Sequence, residues 1–430
     1  MQCFMENAKG ALHHLWAAIK LLRESERELS DEEVTNMVPL YDAMIRLDFL
    51  AQKLVPYACS SFLRCSDIAL MESPFWNRPS PEFSSLSSDS IAAERYLLIQ
   101  LICAHNKLSR VVWGCWCPTD ERPTRQELMG FYSEMLLWKA TSPATLAAWE
   151  ILDRNMQSID FTDLEALPIP PPPYYFADSE TAMNVAMYNG YLGCALAMIN
   201  STDENTAARE LEIFKLVYQN MCITAGLIES HNVKETGVPY KPCDAISMGI
   251  STYLFHGARR CFSVAWQKWT IAALRSIGRE GLSNGFTSAN TLEIICQLQA
   301  RMNHNKLKQE CSYLGPICER LIPLLVPRGE DGQNLAFFLR YGSTEEADGD
   351  EQLMQVVARA KWQQDIRGQM MGLKLVVYDS AIDGSPSFLD RPKAEELFSS
   401  WRSAVEQGWH GFLEKDIQEG FLQQERLSNL

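Results

Sequence analysis

The sequence predicts an all-α protein, a single irregular array of roughly fourteen helices filling residues 1–430. Three observations carry that expectation. Apolar residues recur at helical spacing through most of the chain. Strand signals are few and never alternate with helices, which sets aside a doubly wound sheet. No fixed period recurs, so the helices do not form a strict repeat array.

Taken in order, residues 8–24 place Leu12, Leu15, Trp16, Ile19 and Leu22 on one helical face. Ser30 and Glu33 have the spacing of a capping box. The helix they open turns Val34, Met37, Tyr41, Met44 and Leu47 inward, with Pro39 as a kink. A less regular segment covers 47–63. Residues 66–90 then gather Ser73, Pro74, Pro79, Ser80, Pro81 and four further serines up to Ser88, which predicts a mobile loop. Asp89 or Ser90 caps a strong helix over 91–112, and Pro118 and Pro123 close the turn after it. Residues 125–154 read as one or two helices. Residues 168–176, PIPPPPYYF, must be extended, because consecutive prolines favour polyproline II. That stretch reads either as a stiff connector between helical layers or as a ligand for a proline-reading module. Helices follow over 182–200, 207–226 and 289–303, with a short one ending at Val326 and two last ones over 353–373 and 393–420. Residues 343–352, STEEADGDEQ, form an acidic solvated loop. The best strand candidate, LKLVVYDSAIDG, extends the preceding helix equally well.

The most regular helix lies in residues 248–285. Stepping 100° per residue puts Ala258, Phe262, Ala265, Trp266, Trp269, Ala273, Leu274 and Ile277 on one arc. Arg260, Lys268, Arg275 and Arg279 fall opposite, and Arg259 falls on the apolar arc. The expectation is one amphipathic helix with buried indoles and a basic outer face, stopped by Gly278 and Gly281.

The formal charge of −15 repels phosphate backbones, so most of the surface is not expected to contact nucleic acid. No apolar run reaches the length that spans a bilayer, and the N-terminus lacks the pattern of a secretory signal, so the protein is expected not to be secreted or membrane-bound. The thirteen cysteines include no C-x-x-C pair and read as free thiols, mostly buried; no metal and no cofactor are expected. No metalloprotease, nucleophile-elbow, P-loop or dinucleotide motif occurs, so an enzyme is not favoured. The candidate ligand-binding residues are His256, Arg259, Arg260 and Trp266. His256 precedes the two arginines by one helical turn. Together they would meet an anionic or carbonyl-bearing ligand at a helix start, or serve as a capping histidine beside structural arginines. Seventeen methionines and eleven tryptophans line an apolar small-molecule pocket or simply fill the core.

Several stretches, in this order, carry a resemblance. GALHHLWAAIKLLRE, LYDAMIRLDFLAQKL, PPPPYYF followed by Tyr188-Asn189-Gly190-Tyr191-Leu192, and ARRCFSVAWQKWTIAALRSIGREG are similar to segments of the fungal-specific transcription factor domain. That domain is the helical regulatory region of fungal binuclear zinc-cluster regulators. The resemblance covers about residues 5–420 and implies an all-helical regulatory fold and a nuclear setting. It brings no zinc-ligating or DNA-contacting residue, because the six-cysteine head, basic arm and heptads of that family have no counterpart in these 430 residues. The function implied is therefore a transcription regulator or co-regulator of a fungal metabolic, secondary-metabolite pathway. It would work with a DNA-binding partner protein or as a homo- or hetero-dimer, in the nucleus or cytoplasm, without direct DNA contact. An apolar small molecule would be its ligand. The alternative is a biosynthetic-pathway enzyme or small-molecule-binding protein on the same scaffold. A third reading is a gene model whose first exon, with the zinc head, is missing.

Overall fold

The computed structural model describes residues 91–105, 124–200, 207–234, 249–261, 263–280, 283–304, 321–326, 333–342 and 353–377, besides Ser30 and Leu40. The expected helices before residue 91, the Ser30–Glu33 capping box, the loop over 66–90, the turn at Pro118 and Pro123, the acidic loop over 343–352 and the helix over 393–420 lie outside them. Eight α-helices and a four-stranded antiparallel sheet are present among the described residues. The all-α expectation, with its fourteen helices, is overturned by that sheet.

Helix α1 spans Ile91–Ala104, α2 Arg125–Ala140 and α3 Pro143–Asn155. The expected pair over 125–154 is thus two helices. Thr124 opens α2 with a capping box: its hydroxyl accepts from Glu127 N at 3.2 Å, and its own N–H donates to the Glu127 carboxylate at 2.6 Å. Pro143 sits in the first turn of α3, where its missing N–H costs nothing. Glu94 on α1 ties these helices together. Its carboxylate accepts from Ala144 N and Thr145 N, both at 2.9 Å, and its backbone oxygen accepts from the Trp138 indole at 2.9 Å. The start of α3 and the end of α2 are both anchored to one residue of α1.

Residues 171–176 are extended, as expected, after a bend with a cis peptide bond between Ile169 and Pro170, and the stretch is pinned to a helix. Helices α4 (Ser179–Asn200) and α5 (Ala207–Lys234) follow. Tyr174 N donates to Cys222 O at 3.0 Å, and the Tyr218 hydroxyl to Pro168 O at 3.0 Å. Gly226 lets the connector lie this close: any Cβ there would strike the Tyr174 carbonyl. The stiff-connector reading of the stretch describes these contacts. Helix α4 is the centre of the array and packs against α1, α2, α3, α5 and the next helix, α6. Its apolar positions Val185, Tyr188, Tyr191, Leu192 and Leu196 are all buried.

The single helix expected within 248–285 is two over its first thirty residues. Helix α6 spans Gly249–Ala258 and α7 spans Val264–Ile277. Ser263 breaks the run by capping α7: its hydroxyl accepts from Trp266 N at 3.3 Å. The basic outer face is corrected with it. Arg260 lies in the turn between the helices and is 8% exposed, whereas Lys268 and Arg275 face solvent. Gly278, at φ 68°, ends α7, as expected, and its N–H donates to Leu274 O at 3.0 Å. A two-residue ribbon pairs β1 (Arg279–Glu280) with β2 (Ser283–Asn284), and α8 runs Gly285–His304. No described helix is long and apolar enough to cross a membrane.

The sheet is a meander in chain order: β3 (Ile322–Val326), β4 (Gln333–Gly342), β5 (Leu353–Gln364) and β6 (Met370–Val377). The helix expected to end at Val326 is therefore an edge strand, where Pro323 is tolerated. The helix expected over 353–373 is a hairpin. Its residues Leu, Met, Gln, Ala, Arg and Lys are good helix formers, which hid the alternation beneath them. Ala358, Ala360 and Trp362 are buried, while Arg359 and Lys361 between them are partly exposed. The turn is chemically specified: Asp365 accepts from Arg367 N at 2.8 Å and Gln369 N at 2.7 Å, and Gly368 takes φ 82°. Gly368 and Gly278 both lie against Phe286 of α8, which fastens the hairpin to the helices.

Candidate functional site

The four sequence candidates are all buried. His256 stands in the last turn of α6, not at a helix start, and is 7% exposed. Burial, then Arg259, then Arg260 holds its imidazole well below the ordinary histidine range, so it is neutral at physiological pH. Its ring centre lies 5.3 Å from that of Phe255, and the Arg259 guanidinium lies 5.9 Å from the Phe255 ring centre. Arg260 reaches across to α4, where its guanidinium donates to the Cys194 sulfur. Trp266 is fully buried and stacks on Tyr218 of α5 at 5.3 Å. These residues join α4, α5, α6 and α7. Their chemistry is that of a polar hub inside packed helices, with the arginines desolvated and the histidine uncharged.

A second cluster lies where α2, α3, α4 and α5 converge, and sequence reasoning passed over it. The Lys139 ammonium sits over the Trp149 indole, 2.9 Å from the ring centre, and 5.9 Å from the centre of the Tyr188 ring. Asp153, one turn beyond Trp149, pairs instead with Lys215 at 2.5 Å and accepts from Gln219 at 3.5 Å. Asn189 bridges the helices: it accepts from the Trp149 indole at 3.2 Å and donates to Gln219 at 3.1 Å and Asn220 at 3.2 Å. Tyr188 is 1% exposed, stacks on Trp138 at 5.6 Å, and its hydroxyl has no hydrogen-bond partner among the described residues.

Electrostatics at this cluster follow from burial. Lys139 is lowered to about 8, chiefly by desolvation, which outweighs the opposing pull of Asp153, Glu150 and Glu212. Glu212 is raised, again chiefly by desolvation, against Lys139, Lys215 and Arg209. Burial and then the Glu212 charge raise Tyr188. The cluster thus holds an amine and a carboxyl both pushed toward their neutral forms. One signal in the sequence pointed here: Arg209, Glu212, Lys215 and Gln219 share one face of α5, beside the buried Ile213, Phe214 and Leu216.

The described cysteines Cys194, Cys222, Cys261 and Cys296 are free thiols. No group of three or more metal-ligating side chains gathers among the described residues. Comparison with protein-family models, with curated proteins and with solved structures finds no match for this chain.

Proposed function

We propose that this protein is a transcription regulator or co-regulator of a fungal metabolic pathway, acting through a protein partner. The observation that supports the reading is that helix α4, which bears YNGYL, packs against α6 and the turn after it, which begins ARRC. Gly190 of YNGYL lies against Tyr253 of α6, so that a Cβ there would come within 2.8 Å of the ring. Cys194, one turn on, takes the Arg260 guanidinium of ARRC.

The test is deletion of the gene, with transcripts and extracted small molecules measured in one culture. A set of genes falling silent together supports the regulator. Steady transcripts with one product lost and its precursor accumulating overturn it and favour the second reading, an enzyme or small-molecule-binding protein. The half-buried amine and carboxyl between α2 and α5 speak for that second reading.

A further inference from the structure

We propose that the outer edge of the proline connector, Pro172, Pro173 and Tyr175, is a docking strip for a partner protein that carries a proline-reading module of the WW type. Such a module is a small sheet whose aromatic groove takes a proline pair and, beside it, a tyrosine two residues on. The inference does not rest on the regulatory reading and stands on three observations.

The first is which edge faces out. Four consecutive prolines favour polyproline II, which turns once in three residues, so positions i and i+3 share an edge. Pro171 is buried and Tyr174 is half-buried, and their edge faces the helices. Tyr174 N donates to Cys222 O at 3.0 Å, its hydroxyl donates to Ala148 O at 3.4 Å, and its carbonyl lies where a Cβ at Gly226 would stand. Pro172 and Tyr175 lie on the next edge and are both exposed, Tyr175 to 54%. Pro173, on the third edge, is exposed as well. Pro171–Tyr175 contains the pattern Pro-Pro-x-Tyr in two registers. The fold keeps Pro171 and Tyr174 for its own packing and presents Pro172, Pro173 and Tyr175 outward.

The second is that the strip is held in shape before any partner arrives. The prolines fix their own backbone angles, and the bonds to α3 and α5 hold the segment in place. A partner therefore meets a ligand whose ordering cost is already met. The Tyr175 hydroxyl bonds Glu229 on the exposed side of α5, where water competes for both groups, so the ring is open to a partner's pocket.

The third is charge. Residues 155–180 contain no lysine or arginine and carry Asp160, Asp163, Glu165, Asp178 and Glu180. Pro170 and Pro173 also have the Pro-x-x-Pro spacing that an SH3 module reads, but that module sets an acidic rim against a basic ligand residue, which this stretch does not supply. The acidic flanks complement a basic rim.

The full-length protein is titrated into a fluorescently labelled WW domain that takes Pro-Pro-x-Tyr peptides, with an SH3 domain that takes Pro-x-x-Pro peptides as the comparison. The WW domain should bind saturably and the SH3 domain should not. Tyr175→Ala and Pro172→Ala should each weaken the WW complex about ten-fold or more, with thermal unfolding unchanged because both side chains stand in solvent. Tyr174→Phe should leave WW affinity within about two-fold, because that ring belongs to the inner edge. Absence of saturable WW binding overturns the assignment, as does capture by the SH3 domain instead. WW binding that Tyr175→Ala leaves within about two-fold, or that Tyr174→Phe weakens as much as Tyr175→Ala does, overturns it too.

Discussion

Replacing Glu94 by alanine should be among the most destabilising single changes in the helical array. Glu94 is 2% exposed, and its carboxylate receives two N–H groups from the first turn of α3 and the Thr145 hydroxyl at 2.5 Å. Hydrogen bonds to an ionised acceptor are worth about 1.5–3 kcal/mol each. Three of them do not simply add, because the alanine variant is also relieved of desolvating a carboxylate. The donors are left in a buried place: Thr145 is 2% exposed and water cannot reach it freely. Counting the two N–H bonds at the low end and the hydroxyl as partly recovered, the loss is about 3 kcal/mol. Thr145→Val keeps both N–H bonds and loses only the hydroxyl contact, so it should cost about 1 kcal/mol. Urea unfolding of the full chain, followed by tryptophan fluorescence, reads both. A Glu94→Ala chain within ~0.5 kcal/mol of the parent would refute the claim that this carboxylate anchors α3. The consequence reaches the site, because α3 carries Trp149 and Asp153 into the Lys139 cluster.

Three further outcomes follow from the same geometry. Gly249 has φ 66° and any Cβ would collide with the buried Glu280 side chain, whose carboxylate accepts from Ser251 N at 3.1 Å; Gly249→Ala should cost at least about 2 kcal/mol in thermal or urea unfolding, and a neutral result would contradict the placement of α6. His256 binds its proton less readily folded than unfolded, because of burial and of Arg259 and Arg260, so the unfolded chain takes up the extra proton on acidification. Stability should therefore drop as pH falls below about 6.5, and His256→Gln should flatten the His256 part of that slope in urea midpoints measured from pH 7.5 to 5.5. Burial pushes Cys222, Cys261 and Cys296 up to about 12, so iodoacetamide should leave these three peptides unmodified in native protein at pH 8 and alkylate them in urea; rapid native labelling of Cys261 would contradict its burial.

Much of the helical half could be read from residues alone, because each signal there is local. The Pro at the start of α3, the Thr124–Glu127 box, the apolar stripe of α4, the glycine ending α7 and the prolines of the connector each act on their own backbone. Where local signals compete, the chain alone misleads. Ser263 outweighed a continuous apolar arc that runs from Ala258 to Ile277, because capping satisfies an N–H that the arc ignores. In β5 a period of two outweighed the helix-forming side chains, and it is visible once Ala358, Ala360 and Trp362 are known to be inside.

The sequence by itself determined the acidic balance, the cysteine spacing, the extended proline connector and the apolar faces of described helices such as α4. Only the tertiary structure decided which polar residues are taken out of water together. Periodicity says that a face is buried, but not against what. Arg260 reads as an outer-face residue until the break at Ser263 turns it toward Cys194. Lys139, Trp149, Tyr188 and Glu212 come from four different helices, and their altered proton affinities arise from desolvation at a junction that no single helix contains.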